Sequence, residues 1–106
     1  MAKEIERKFL VDVHKLMQIK PEKTLKITQG YLSANALNTV RIRIADNKAY
    51  ITIKGKTKGI SRDEYEYEIP ILEAREMMTL VITKPIVKNR HIYMVENKKW
   101  EVDEFL

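Results

Sequence analysis

Through most of the chain apolar and ionic side chains alternate one for one, and a repeat of two leaves an extended strand as the regular conformation that keeps each class on its own face. In residues 39–45, Val40, Ile42 and Ile44 fall on one side and Arg41 and Arg43 on the other. The same alternation marks strands at 4–11, 26–33, 48–54, 62–69, 86–95 and 99–105. ADNK and ENKK each separate two such segments with residue types that accept the left-handed backbone of tight turns, so each pair reads as a hairpin. Only two segments repeat helically. Asp12 can cap a short helix at 13–19 that Pro21 stops, and Pro70 opens a second in which Ile71, Ala74, Met77, Met78 and Val81 recur at helical spacing. Seven strands and two short helices in 106 residues, with no repeat, linker or low-complexity tract, describe one domain over 1–106 of the α+β class, built on an antiparallel sheet.

The absence of cysteine removes disulfides, thiolate metal sites and a cysteine nucleophile. His14 and His91 lie far apart without ligand spacing and read as surface or packing residues. No apolar run approaches the roughly 18 residues of a membrane span, and the N-terminus lacks the apolar core of a signal peptide, so a cytoplasmic protein is expected. A net charge of +5 calls for an anionic partner, which charge alone leaves open between nucleic acid, a membrane surface and a phosphate compound.

Sorted by face, the strands share one design. Glu4, Glu6 and Lys8 stand opposite Ile5, Phe9 and Val11, and Thr52 and Lys54 stand opposite Ile51 and Ile53. Arg62, Glu64, Glu66 and Glu68 share a side of the fifth strand, Lys88 and Arg90 of the sixth, and Glu101 and Asp103 of the seventh. Tyr65, Tyr67 and Trp100 fall on the apolar sides and are expected in the core beneath a helix. Two readings fit this pattern. An antiparallel sheet commonly turns one face to water. Yet like charges two apart on a strand sit only about 7 Å from each other, and their clustering costs energy unless counter-charges arrive from outside. Carboxylate clusters suit hard divalent cations such as Mg²⁺ or Mn²⁺, and forked guanidinium groups suit phosphate oxygens. Together they describe a site for a metal-chelated polyphosphate.

The stretch EIERKFLV, at 4–11, resembles the N-terminal Glu-x-Glu-x-Lys signature of the CYTH family, the triphosphate tunnel metalloenzymes, which includes class IV adenylyl cyclases, thiamine triphosphatases and inorganic triphosphatases. TQGYLS, VRIRI, ITIK, SRDEYEYEI, VKNRHIY and WEVDEF follow in that family's order and approximate spacing, so the resemblance covers nearly the whole chain. It implies an antiparallel β-barrel or partial barrel around a charged tunnel, in which basic residues hold a triphosphate and acidic residues hold Mg²⁺ or Mn²⁺. Glu4 and Glu6 match the first metal-binding pair; Glu64 and Glu66, and later Glu101 and Asp103, match further acidic positions, with Asp103 the better ligand of its pair. Lys8, Arg41, Arg43, Lys54, Arg62, Lys88 and Arg90 match the triphosphate-binding set. Tyr31 matches a tyrosine that triphosphatase members pair with the lysine at position 8 to orient or deprotonate water; filling the barrel wall is an equally good role for it.

The resemblance therefore implies a Mg/Mn-dependent triphosphatase. Adenylyl cyclase activity on ATP stays open, although no adenine pocket is marked, as does a non-catalytic polyphosphate- or nucleotide-binding module. Acidic clusters among the arginines argue against a nucleic-acid backbone as partner. Family members carry further strands after the WEVDEF block, so a C-terminally shortened domain is expected, either a fragment or a short form. Closing a small barrel takes about eight strands. With seven, an edge stays open, and self-association through edge strands, most simply a dimer, is expected.

Overall fold

The computed structural model describes residues 3–5 and 19–106. The strand expected beyond residue 5, most of the helix expected at 13–19, the side chains of Glu4, Glu6 and Lys8, and His14 all lie outside the described residues.

The alternating segments form the strands β1 (Lys3–Ile5), β2 (Lys23–Ala34), β3 (Asn38–Ala45), β4 (Lys48–Gly55), β5 (Ser61–Ile69), β6 (Ile86–Val95) and β7 (Lys98–Phe105). They pair antiparallel throughout in the order β1-β5-β4-β3-β2-β6-β7. The six long strands make a half-barrel, and β1 adds a three-residue strip to the free side of β5. The hairpin turns come as expected, with Asp46 at φ 53° and Glu96 and Asn97 at 52° and 63°, the left-handed region that such tight turns require. Asp46 also ties its turn to β2, its carboxylate accepting from the Lys26 N–H at 2.9 Å. The β2–β3 connection has its own device: Asn35 Oδ1 accepts from the N–H groups of Leu37 and Asn38, closing a side-chain-capped turn.

One face of the sheet carries the core. Helix α1 (Ile71–Met77) follows Pro70 and lays Ala74 against Ile42 and Ala49, all three fully buried. Leu32, Ile44, Ile51, Ile69, Ile71, Met77 and Met78 close around them. The expected helix to Val81 is shorter than its repeat suggests: Met78–Leu80 tighten into a 3₁₀ turn and Val81 is extended. Val81 seats directly on Gly30, where a Cβ would stand 2.6 Å from Val81 Cγ1. Only glycine lets the chain approach β2 so closely, and the Ile82 N–H then donates to the Tyr31 carbonyl at 2.9 Å.

A second expectation fails on the same face. Tyr65, Tyr67 and Trp100 do lie on the apolar side of their strands, but all three remain exposed. A seven-residue helix is only about 10 Å long and covers roughly two strands, here β3 and β4. No helix among the described residues is long and apolar enough to cross a membrane.

Candidate functional site

Register brings the ionic side chains into rows across the other, concave face. Tyr31, Arg41, Thr52 and Glu66 stand opposite one another on β2, β3, β4 and β5; Gln29, Arg43, Tyr50 and Glu68 form the next row. A bulge between Tyr31 and Ser33 increases the local twist of β2 beside the first row. On the other flank Leu25, Arg90 and Asp103 form a row over β2, β6 and β7, beside Ile27, Lys88 and Phe105. The triphosphate-binding residues expected on β3 and β6 are thus gathered onto one surface.

The β6 cations are answered by carboxylates. Arg90 forks onto Asp103, Nε to Oδ1 at 2.8 Å and Nη2 to Oδ2 at 3.0 Å, and Lys88 Nζ donates to Asp103 Oδ2 at 2.7 Å. Arg90 Nη1 also reaches Glu101 Oε2 at 3.1 Å. The Lys88 ammonium lies 5.5 Å from the centre of the Phe105 ring, within range of a cation–π attraction. Burial would raise the Asp103 carboxyl, but hydrogen bonds from Arg90 and Lys88 outweigh it and hold it at about 2. Burial lowers the Lys88 ammonium from its ordinary value despite the bond to Asp103.

The β3 cations are held differently. Arg43 Nε donates to Gln29 Oε1 at 3.2 Å, while Arg41 Nη2 makes a long 3.5 Å contact with Thr52 Oγ1. The Thr52 hydroxyl in turn donates to Glu66 Oε2 at 3.1 Å. Neither arginine forms an ion pair among the described residues. Arg41 is 8% exposed and its Nε is buried with no hydrogen-bond partner among the described residues. Burial, with the charges of Arg41 and Arg90, lowers the Arg43 guanidinium to about 10, against a smaller opposing effect of Glu66 and Asp103. It stays charged at neutral pH.

The remaining expected residues are spread around this surface. Lys54 stands across from Glu64 and Thr39, and Glu4 pairs through its backbone with Arg62. Arg62 bonds the loop, Nε donating to Thr57 Oγ1 at 3.0 Å. Of the expected metal ligands, Glu101 and Asp103 serve Arg90 and Lys88, and no group of three acidic or histidine side chains among the described residues is arranged to hold a metal ion. Gln29 and Thr52 are the additions. Gln29 precedes Tyr31 by two and Thr52 precedes Lys54 by two, so the alternation already placed them on this face.

Comparison with known proteins agrees with this architecture. An inorganic triphosphatase of Acetivibrio thermocellus is 44% identical over 109 residues, which take in 100% of this chain and 67% of that protein. Two crystal structures of NE1496, described in one as a hypothetical protein and in the other as an inorganic triphosphatase, superpose with a TM-score of 0.58 at 20% identity. The match covers 79% of this chain but 56% and 53% of those chains, so the chain spans little more than half of the NE1496 structures, and what is shared is the fold. Residues 2–106 also match the CYTH domain profile, and with it the ordered signature blocks and the ionic half-barrel have one explanation: this chain belongs to the CYTH family.

Proposed function

We propose that this chain binds a triphosphate compound on the concave face and hydrolyses it with the help of Mg²⁺ or Mn²⁺. The observation that carries this reading is the pair Arg41 and Arg43, half-buried to buried, seven or so ångströms apart along one strand and without an ion-pair partner among the described residues. Two such cations repel each other in the empty protein, and an oligophosphate is the ligand whose charge and spacing relieve both. In this reading Lys54, Arg62, Lys88 and Arg90 are the further cations of the ligand site, with Lys8 completing the set.

The family works with a divalent metal. The hard oxygen donors Glu64 and Glu66 on β5, one of them a single hydroxyl away from Arg41, suit such an ion, with Glu4 and Glu6 as the other ligands and Glu101 and Asp103 in reserve. When bound, the metal neutralises phosphate oxygens and the developing charge of the leaving group. Lys8 and Tyr31 orient or deprotonate the attacking water. That water attacks the terminal phosphorus, the bond to the bridging oxygen breaks, and orthophosphate leaves with the shortened phosphate chain.

Phosphate release from tripolyphosphate and from ATP, with and without Mg²⁺ or Mn²⁺, is the test. Metal-dependent release supports hydrolysis; cyclic AMP from ATP would make the chain a cyclase, and binding without turnover would make it a phosphate-binding module. We also propose a cytoplasmic, single-domain protein that dimerises through β7, whose outer edge has no partner among the described residues and which bears the exposed Trp100 and Phe105. Light scattering at micromolar concentration decides that point, a monomer refuting it.

A further inference from the structure

Most arginines in protein interiors meet a carboxylate, which positions the cation and cancels it at once. On β3 these two jobs are separated. The Arg43 Nε can only donate, so the amide atom of Gln29 facing it at 3.2 Å is the oxygen, and this side chain, 6% exposed, orients the guanidinium without adding negative charge. Thr52, fully buried, meets Arg41 Nη2 with the oxygen of a hydroxyl whose proton is directed to Glu66. The direction of this chain is forced, because a guanidinium has no acceptor and a carboxylate has no proton to give. Thr52 therefore stands between Arg41 and Glu66 in the row, and it keeps the two from closing into a direct ion pair that would use up both. The buried Arg41 Nε, without a hydrogen-bond partner among the described residues, is the donor this arrangement leaves over.

We infer that Gln29 and Thr52 are positioning residues: neutral anchors that hold Arg43 and Arg41 on the concave face while leaving their charge to be answered by phosphate oxygens. The inference rests on the triphosphate reading of that face. It makes a demand that a merely structural role does not, because replacing a neutral anchor by a charged one must improve the empty protein and spoil the loaded one. Gln29→Glu is nearly isosteric and supplies Arg43 with a carboxylate of its own.

Titration calorimetry with tripolyphosphate in the absence of divalent metal, which prevents turnover, alongside thermal melts without ligand, reads both sides. For Gln29→Glu we expect a higher melting temperature of the ligand-free protein and a dissociation constant at least tenfold weaker, the loss that follows when a charge-assisted bond to the ligand meets an internal competitor. Thr52→Val keeps a β-branched side chain in a central strand, so it folds, and it is expected to bind several-fold more weakly, whereas Thr52→Ser restores binding to within twofold of wild type. Wild-type affinity in both Gln29→Glu and Thr52→Val overturns the inference, as does a Thr52→Ser protein no better than Thr52→Val. A folded wild-type protein that gives no response to tripolyphosphate instead removes the functional reading on which the inference stands.

Discussion

On β6, Lys88 and Arg90 look across one strand to Asp103 and Glu101; on β3, Arg41 and Arg43 look across one strand to Thr52, Gln29 and Tyr31. The two strands carry the same pattern of cation, spacer, cation on the same face of the same sheet. What separates them is their neighbours in register. On β6 the charge is internally compensated, so it contributes to the fold; on β3 neither arginine meets an ion-pair partner among the described residues, so its charge costs the fold and is available to a ligand. A row of basic residues is thus two kinds of object, and the side chains opposite decide which.

The largest effects should fall on opposite quantities in the two strands. Asp103→Ala leaves the buried Lys88 without its carboxylate, and breaking such a pair from one side typically costs about 3 kcal/mol. Denaturant melts should show that loss. Arg43→Met removes a repelled cation and keeps its apolar stem, so the empty protein should be as stable as wild type or more stable, while tripolyphosphate affinity falls by ten- to a hundredfold, the value of a charge-assisted hydrogen bond. An Arg43→Met protein destabilised by as much as Asp103→Ala would erase the distinction between the strands.

Acid offers a way to dissolve one side of the comparison. Asp103 is held at about 2 in the folded protein, below the usual unfolded value near 3.9, so its contribution is fully present above pH 4 and is lost as pH falls from about 4 toward 2. Allowing for solvent screening of a carboxylate that is not fully covered, this amounts to about 1–2 kcal/mol. In Asp103→Asn the decline over that window should flatten. Arg43, held at about 10, stays charged throughout that window.

Which of these features the amino-acid order reveals follows from what alternation encodes. It reports the face of each residue and the ends of each strand, so β3 to β7 appear within a residue or so of their expected limits, and the cations and carboxylates appear on one side. It does not report register. That Asp103 stands opposite Arg90, and Gln29 opposite Arg43, depends on hairpin geometry and strand order, so the alternation puts Gln29, Thr52 and Asp103 on the ionic face without naming the cation each one meets. Nor does it report reach: the same apolar label covers Ile42 beneath α1 and Tyr67 in solvent. The helical repeat through Val81 marks residues that face the sheet, but contact with Gly30 is made by an extended residue rather than a helical one.

The smallest effect sharpens the rule by turning it over. Glu104 follows Asp103 on β7 and so points to the other face, where its Oε1 meets His91 Nε2 at 3.2 Å and accepts from Asn89 Nδ2 at 3.4 Å. Thr24 Oγ1 approaches the other ring nitrogen of His91 at 3.0 Å, so on this face the chain of contacts runs over β2, β6 and β7. The same strands thus pair an acid with a base on both faces. The difference is water: Asp103 stands beside a buried ammonium, while Glu104 is exposed, where screening and side-chain entropy cancel most of what the contact gains. The bond from His91, then that from Asn89, lowers the Glu104 carboxyl, which shows the contact is attractive without making it strong. Glu104→Gln should leave both the thermal midpoint and tripolyphosphate affinity within experimental error of wild type. If it destabilised the protein as Asp103→Ala does, solvent exposure would not be what separates a charge that supports the fold from one that merely decorates it.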